Sequence, residues 1–556
     1  DDAVQYMYEK DYVLKDDSGN GIIAVAGHSM GGFSATMAMV SDEKRFQQTS
    51  IRKIHAGLTM GSDYLWTNYL GVDAKVATNS INSRIAGKVA AHYDDFFFDK
   101  ASEKSGNTVV YKNFVKTQPG KTFLGNPSNL KSGKMYTLDS GGKRIIYTPR
   151  EIHPWNHFSK ITTGHQIDFY NNAFGKYASP NQDLVSLDKD AQIWFYKELS
   201  EFIALIGFFI LFVPLIYFII KLPFFDATKT EGKSVIEGPK SVGGKIIYWL
   251  VVLFSALFPA FFFPTLMSKA GTGMTILKVF AGIAVVISII MFIAKFMNKD
   301  DKSIKTILPG PALLFITSLI MFLLLNYAPK IFKLGSYFNE PTTNQILYWA
   351  MVVTAVITII SIITFNFDKK LKNISLKQYG IVVKGKTILS SLITALISVF
   401  IGYVILFIID AVFKTDFRFW TWAVKTFEVS HVIAALKYAP FFFLYFYITG
   451  IAVNRNTEFM KGWKGYLVAC FTIVGGLVIY LLLHYGKLFI AGEAFWPAQA
   501  LSSILLIALI PTLIVATIYN KMFFKMTNNV YTGVFLNTFL MTMITVANTA
   551  LYHGIK

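Results

Sequence analysis

Cysteine is almost absent from this sequence, since Cys470 is the only one in 556 residues. A disulfide between two cysteines of this chain and a cysteine-based metal site are therefore both excluded. Charged residues are also scarce, at 16% against roughly 25% in soluble globular proteins. A chain with so few charges and 53% apolar residues is neither a disordered protein nor an ordinary cytosolic enzyme. The composition instead predicts a membrane protein.

Acidic residues are fewer than basic ones, and the imbalance falls in one part of the chain. Residues 1–200 contain 23 Lys+Arg and 21 Asp+Glu, whereas residues 201–556 contain 30 and 13. The basic excess thus lies in the more apolar part, where Lys and Arg in loops set the orientation of membrane helices. We therefore expect a lipid bilayer, and no nucleic acid, as a partner.

Ten apolar segments follow residue 200, and each is close to the ~20 residues that a helix needs to cross the hydrocarbon core. They cover 201–221, 245–266, 277–297, 309–327, 346–366, 388–413, 431–453, 465–485, 498–519 and 531–552. Prolines inside some segments do not exclude helices, because neighbouring helices can satisfy the freed backbone groups. The sequence predicts a multi-pass transmembrane domain of about ten helices over 201–556, preceded by a linker helix at 179–200.

The loops between these segments differ in basic charge. One alternating set carries 20 Lys+Arg and the opposite set, with the C-terminal tail, carries 9. Because cytoplasmic loops are enriched in Lys and Arg, the first set is expected in the cytoplasm. Residues 1–200 then lie on the extracytoplasmic face of a cell membrane. Lys outnumbers Arg 46 to 7, as AT-rich codons would give, which favours a low-GC bacterium.

Ionisable residues within the apolar segments are few, and the candidates singled out are Asp410, Lys437, His484 and, beside a segment, Glu428. Charge is costly in lipid, so such residues are candidates for function. Asp410 and His484 are at segment ends, where snorkelling towards the interface explains them. Lys437 is well inside a segment, and a structural pair with Asp410 is as good an explanation for it as an ion path.

Residues 21–40 follow the pattern of a nucleophile elbow. The short apolar strand Gly21–Ala26 runs directly into Gly27-His28-Ser29-Met30-Gly31-Gly32, and a small-residue helix, Phe33–Val40, follows. In this context G-x-S-x-G lets the backbone turn tightly, exposes the serine hydroxyl and aims helix N–H groups at a developing oxyanion. Ser29 is the candidate nucleophile. The alternative is a tight turn in which Ser29 only caps the helix.

The triad acid is expected after the elbow, because the chain order of such sites is nucleophile, acid, histidine. Lys53–Met60 and Ser83–Ala91 are further strand candidates, and the second ends just before Asp94 and Asp95. A carboxylate beyond the C-terminal end of a strand can orient a histidine and stabilise its imidazolium. Asp94 is the expected acid and Asp95 the alternative, although either can simply cap a turn.

The general base is expected in the loop between the last strand and the last helix of this region. Arg144–Thr148 is the strand candidate and Thr162–Phe174 the helix candidate. His153 lies five residues after Thr148 and directly before Pro154, which prevents an early helix start. His153 is the expected base and His157 the alternative; the other of the two then lies beside the base or faces the substrate.

These residues resemble the α/β-hydrolases, specifically the C-terminal half of the dienelactone-hydrolase and acyl-esterase-like branch. The resemblance covers about residues 1–178. It rests on Ile22–Gly32 with its elbow, on the strand that ends at Asp94, and on the strand that ends at Thr148 ahead of His153. The attachment to many spans is similar to that of bacterial membrane-bound hydrolases.

The resemblance implies an α/β-hydrolase fold and a role for each candidate. Ser29 would be the nucleophile, Asp94 the acid and His153 the base, with the backbone N–H of Met30 as one oxyanion donor. Such a triad needs neither a cofactor nor a metal ion, and we expect neither.

The position of the elbow departs from the family pattern. Several strands precede the elbow in that fold, and a loop after an early strand gives the second oxyanion donor. Ser29 is only 29 residues from the start, so we expect a domain truncated at its N-terminus whose missing part carries those strands, that donor and a signal anchor. Residues 99–143 are expected to be an insertion, with strand-like pieces at Thr108–Asn113 and Lys134–Thr137, that forms a lid or a membrane-facing flap.

The sequence therefore predicts a membrane-anchored, extracytoplasmic serine hydrolase that cleaves a small-molecule or lipid ester, a thioester or an amide through an acyl-enzyme. One alternative is an acyltransferase that uses the same triad on a lipid or glycan hydroxyl. Another is a transporter or sensor that carries a hydrolase-like domain. The complete set of Ser, Asp and His candidates favours the hydrolase.

Overall fold

Helices predominate in the structure, which is a computed structural model, and a small mixed sheet lies in the first 150 residues. The structure describes residues 2–64, 71–96, 112–177, 187–230, 237–269, 271–297, 309–372 and 376–553. The chain divides into two compact units. Asp1–Phe195 with Leu483–Leu501 form the first, and Tyr196–Leu482 with Ser502–Lys556 form the second.

The first unit contains a five-stranded sheet. Its strands are β1 (Ile23–His28), β2 (Ile54–Met60), β3 (Ile85–Val89), β4 (Tyr136–Thr137) and β5 (Lys143–Tyr147). They are arranged in the order β1-β2-β3-β5-β4, with all neighbours parallel except β4 and β5. The register aligns the last residues of the four parallel strands, which are His28, Met60, Val89 and Tyr147. Their carboxyl ends therefore meet at one edge of the sheet.

Five helices accompany this sheet in the described residues of the first unit: α1 (Asp2–Tyr8), α2 (Met30–Thr49), α3 (Ala74–Ser80), α4 (Gln118–Phe123) and α5 (Lys160–Phe174). Two glycines show why α2 and α5 cover opposite faces. A Cβ on Gly57 would lie 2.5 Å from Met39 of α2, and a Cβ on Gly87 would lie 2.7 Å from Phe169 of α5. Adjacent strand residues point to opposite faces, so Ala86 faces α2 while Gly87 faces α5. The result is a three-layer α/β arrangement.

The second unit consists mainly of long apolar helices. Together with the helices that the two units share, they are α6 (Trp194–Ile219), α7 (Val242–Phe261), α8 (Phe263–Ser268), α9 (Thr272–Met297), α10 (Pro309–Ile331), α11 (Pro341–Lys372), α12 (Gly385–Phe413), α13 (Val429–Thr457), α14 (Trp463–Cys470), α15 (Gly476–Ala491), α16 (Ala500–Thr527) and α17 (Tyr531–Ala547). A π-helical turn, Phe471–Gly475, makes α14 and α15 one continuous span. A short hairpin, β6 (Phe417–Phe419) and β7 (Trp422–Val424), lies between α12 and α13.

Within the described residues, nine helices are long and apolar enough to cross a membrane. The chain is therefore a multi-pass membrane protein by helix length and composition. Each of the ten predicted segments overlaps one of these helices or α17. The tenth segment, 531–552, forms a helix of only 17 residues because α17 ends at Ala547, so it is shorter than a usual span.

Other element limits differ from the sequence-based expectations by a few residues. The helix after the elbow, Met30–Thr49, is much longer than the expected Phe33–Val40. Lys134–Thr137 contributes only the two residues of β4. Residues 97–111, which include most of the expected strand-like piece Thr108–Asn113, lie outside the described residues. Residues 179–186 of the predicted linker lie outside them too.

The pairing of Lys437 with Asp410, one of the two explanations considered for this lysine, is not among the ion pairs of the described residues. Lys437 Nζ donates instead to the Ser336 carbonyl oxygen at 3.3 Å. Its ammonium also lies over the ring of Tyr337. A backbone acceptor in the loop between α10 and α11 thus compensates this lysine.

Candidate active site

Ser29 lies at a sharp turn between β1 and α2. Its backbone has φ 53° and ψ −116°, a strained conformation for a residue with a side chain. The turn needs glycine beside it, because a Cβ on Gly27 would come within 2.1 Å of the Gly31 backbone. The Ser29 N–H donates to the Met60 carbonyl oxygen at 2.8 Å, which ties the turn to the end of β2. The strand, tight turn and helix expected from the motif are therefore present.

The side chain of Ser29 does not cap α2. Ser29 occupies the N-cap position, yet its hydroxyl makes no capping hydrogen bond. A serine kept in a strained conformation without a capping role is expected where the hydroxyl is used for something else. This observation argues against the alternative in which Ser29 only caps the helix. Met30, the next residue, begins α2, so its N–H is one of the helix donors that lack an intrahelical acceptor.

His153 and Asp94 form a buried hydrogen-bonded pair. His153 Nδ1 lies 2.8 Å from Asp94 Oδ2, and the two side chains are 3% and 0% exposed. Asp94 follows β3 and is itself oriented, since its Oδ1 accepts from the Phe96 N–H at 3.1 Å. A carboxylate on Nδ1 makes that nitrogen the donor and leaves Nε2 as the proton acceptor.

Glu151 holds the loop that carries His153. Its carboxylate accepts hydrogen bonds from Asn156 (3.2 Å), from Thr162 (2.9 Å) and from Ser159. These contacts connect the loop after β5 to the 3₁₀ turn His153–Phe158 and to the start of α5. A lone Glu between a strand and a helix carries no local sequence signal that it holds a loop in place. The role of Glu151 therefore could not be predicted from the sequence.

The elbow and His153 lie at the same edge of the sheet. His28, next to Ser29, has its Nε2 3.0 Å from the His153 carbonyl oxygen, and the two rings are 4.6 Å apart. Gly61, just beyond β2, lies between them: a Cβ there would be 2.9 Å from the His153 ring and 3.2 Å from His28. The common register of the parallel strands thus brings Ser29, Asp94 and His153 into one region from distant parts of the sequence.

The pKa of His153 is shifted in the opposite direction from those of the other two imidazoles at this edge. Burial lowers the pKa of His153, but attraction to Asp94 and the hydrogen bond with it outweigh burial and raise that pKa above its ordinary value. Burial, together with repulsion from His153 and His157, lowers the pKa of His28 to about 3. Partial burial of its ring and repulsion from His153 also lower the pKa of His157, although part of this side chain is exposed. His153 is therefore the imidazole here that is prepared to take up a proton.

The alternative candidates lie elsewhere at the same edge. The ring of His157 faces His28, with a centroid distance of 5.1 Å, and His157 is exposed. Asp95 is fully buried but lies next to His484, with His484 Nε2 3.5 Å from Asp95 Oδ2. The geometry favours Asp94 and His153 over both alternatives.

His484 lies beside Asp95, a position that the sequence did not predict. The only signal was an ionisable residue at the end of an apolar segment, and we interpreted it as snorkelling towards water. That interpretation is wrong for His484, because its side chain is 0% exposed. Its segment, Leu483–Leu501, belongs to the same compact unit as Ser29.

The described residues contain no group of three His, Cys, Asp or Glu side chains that could hold a metal ion. Comparison of the chain with protein-family models, with curated proteins and with solved structures gave no match. The chemistry of the site itself is therefore the basis for a functional assignment.

Proposed function

We propose that the chain is a membrane-anchored serine hydrolase that cleaves an ester, thioester or amide through an acyl-enzyme. The observation that carries this proposal is the buried 2.8 Å hydrogen bond between His153 and Asp94 at the sheet edge that also holds the strained turn of Ser29. A nucleophile, a base and an acid that orients the base are the minimum set for this chemistry.

The first unit is proposed to be an α/β-hydrolase domain. Three features support this: consecutive parallel strands, helices on both faces of the sheet, and a serine on a strand-to-helix turn at the carboxyl end of a strand. The order of the three residues in the chain, Ser29, Asp94 and His153, is also the order of that fold.

The proposed reaction has two halves. His153 Nε2 takes the proton from Ser29 Oγ while Oγ forms a bond to the substrate carbonyl carbon. The developing oxyanion is stabilised by the Met30 N–H at the start of α2. The same proton then passes from His153 to the leaving group as its bond to carbon breaks, which leaves an acyl group on Ser29. Water, deprotonated by His153, releases the acid and restores the serine.

Labelling with a fluorophosphonate probe tests the proposal. The probe phosphonylates a serine only when a base activates it, so the full-length protein in detergent should be labelled, and the modified peptide should contain Ser29. Ser29→Ala should abolish labelling. Ser34→Ala is the matched control, because Ser34 is an exposed serine in α2, the helix that follows Ser29. This variant should be labelled like wild type. Unchanged labelling of Ser29→Ala would show that the proposed nucleophile is wrong.

We further propose that the hydrolase unit lies on the extracytoplasmic face. The support comes from the segment Leu483–Leu501, which belongs to the first unit and contains the loop 486–497. Residues 486–497 contain a single Lys and belong to the loop set that is poor in Lys and Arg. The positive-inside rule puts that set outside, which supports the same side of the membrane for the proposed catalytic residues.

Cysteine accessibility tests this orientation. In a Cys470→Ser background, Ser18→Cys places one thiol in an exposed loop of the first unit, and Lys377→Cys places one in the exposed loop between α11 and α12. A membrane-impermeant maleimide should label the first variant in intact cells and the second only after lysis. The background protein, which has no cysteine, sets the zero level. The reverse pattern would put the catalytic unit in the cytoplasm.

A further inference from the structure

A second carboxylate–imidazole pair lies beside the pair formed by Asp94 and His153. His484 Nε2 is 3.5 Å from Asp95 Oδ2, and both side chains are fully buried. Asp95 directly follows Asp94, so both carboxylates belong to the turn after β3. The proposed reaction uses neither Asp95 nor His484.

His484 reaches this position because its segment forms part of the core of the catalytic unit. Leu488 and Ala494 are fully buried in one apolar cluster with Ala90, Phe114 and Ile146. Phe489 packs edge-on against Tyr93, with ring centroids 5.1 Å apart. The last turns of α15 and the loop after it are therefore held in a defined place rather than lying against the unit as a loose loop.

The carboxylate of Asp95 needs compensation. A buried charge is costly unless an opposite charge or hydrogen bonds offset it. Neither oxygen of Asp95 makes a hydrogen bond within the described part of the chain, where His484 is the basic group at ion-pair distance. The segment's other ion pair, Lys487 with Glu493, is half-exposed, at 40% and 18%. The imidazole of His484, when it carries a proton, is thus the group that can offset Asp95.

The charge of Asp95 also reaches the proposed base. Burial lowers the pKa of His153, whereas Asp94 and, more weakly, Asp95 raise it. Within the described residues, a further titratable group against His484 is Tyr485, whose ring lies edge-on at 5.0 Å. An unpaired Asp95 would therefore hold His153 in its protonated form to higher pH than a paired one.

We propose that His484 is a positioning residue of the active site: its imidazolium pairs with Asp95 and leaves Asp94 as the carboxylate that governs His153. This inference rests on the proposed hydrolase function. It makes the last turns of a membrane-length helix a part of the catalytic unit. The hydrolase chemistry then depends on a group that is remote in sequence from the three triad residues.

The pH dependence of kcat/KM tests the inference in the full-length protein, with a p-nitrophenyl ester as the probe substrate. The ascending limb reports the loss of the His153 proton. His484→Gln leaves Asp95 uncompensated, so the limb should move to higher pH, by about one pH unit. Asp95→Asn should move it to lower pH. The double variant, which lacks both charges, should return it to near the wild-type position.

Lys487→Gln is the matched control, because it removes a positive charge from the same segment but one that is half-exposed and paired with Glu493. The ascending limb of kcat/KM for this variant should stay at the wild-type pH. Rates are normalised to the amount of Ser29 that a fluorophosphonate titrates, so a partly unfolded variant does not imitate a shift. If Ser29 titrates but the limb is the same in His484→Gln, Asp95→Asn and wild type, the role of His484 is wrong while the hydrolase stands. If wild-type Ser29 neither titrates nor supports hydrolysis, the proposed function itself fails and this inference fails with it.

Discussion

Replacing His153 by glutamine should lower kcat for ester hydrolysis by a factor on the order of 10⁴ to 10⁶. Glutamine fills a similar volume and can still donate to Asp94, but it has no basic nitrogen to accept the Ser29 proton. The loss should appear in kcat, with a much smaller change in KM, because proton transfer occurs in the transition state rather than on substrate binding. Steady-state kinetics with a p-nitrophenyl ester, together with a circular dichroism melt of each variant, measures this.

The control for this experiment is His157→Gln. His157 faces His28 and is exposed, so its replacement removes a neighbouring imidazole without removing the base. We expect a loss far smaller than that of His153→Gln. If His157→Gln shows the large loss and His153→Gln does not, the two histidines exchange roles, and the hydrogen bond between His153 and Asp94 is then structural only.

The elbow could be predicted from the sequence because its physics is local. An apolar strand, glycines that permit close backbone approach, a serine and a small-residue helix follow one another without interruption. In the structure β1 starts at Ile23 and α2 starts directly after Ser29, so the prediction of the turn is accurate even though the helix limits are not. Strand and helix ends depend on hydrogen bonds with distant residues, and a single sequence does not contain them.

The pair formed by His153 and Asp94 could be predicted because parallel strands have a common direction. Residues that follow the carboxyl ends of neighbouring parallel strands meet at one edge, so positions just after β3 and β5 are brought together. The choice between Asp94 and Asp95 was harder, since it depends on where two adjacent side chains point from one turn. The Asp94 side chain reaches His153, and the Asp95 side chain reaches His484.

The place of Leu483–Leu501 could not be predicted, and the reason is physical. Hydropathy reports whether a segment is long enough to cross a membrane, but it carries no information on what the end of that helix contacts. Aromatic residues near the end of a span are typical of an interfacial belt, and an ionisable residue at a helix end is typical of snorkelling. Only the folded chain shows Leu488 and Ala494 in the core of the first unit.

Replacing Asp94 by asparagine should reduce kcat by about 10⁴ while leaving the fold intact. Asp94 Oδ2 accepts from His153 Nδ1, and an amide nitrogen in its place would present a donor to that atom. The imidazole would then turn to the tautomer that carries its proton on Nε2, which cannot accept a proton from Ser29. The loss should be smaller at high pH, because hydroxide can replace part of the base function. A pH–rate profile of the full-length variant measures both effects.

Asp95→Asn is the matched control, since it makes the same chemical change one residue later in the same buried turn. In the wild type the Asp95 carboxylate lies next to His484 and does not hydrogen-bond His153. Its replacement therefore does not affect the tautomer of the base. We expect a much smaller loss of kcat at the pH optimum than for Asp94→Asn, accompanied by the shift of the ascending limb to lower pH. A loss of about 10⁴ in Asp95→Asn, with Asp94→Asn close to wild type, would make Asp95 the acid and would require His153 to turn away from the hydrogen bond seen here.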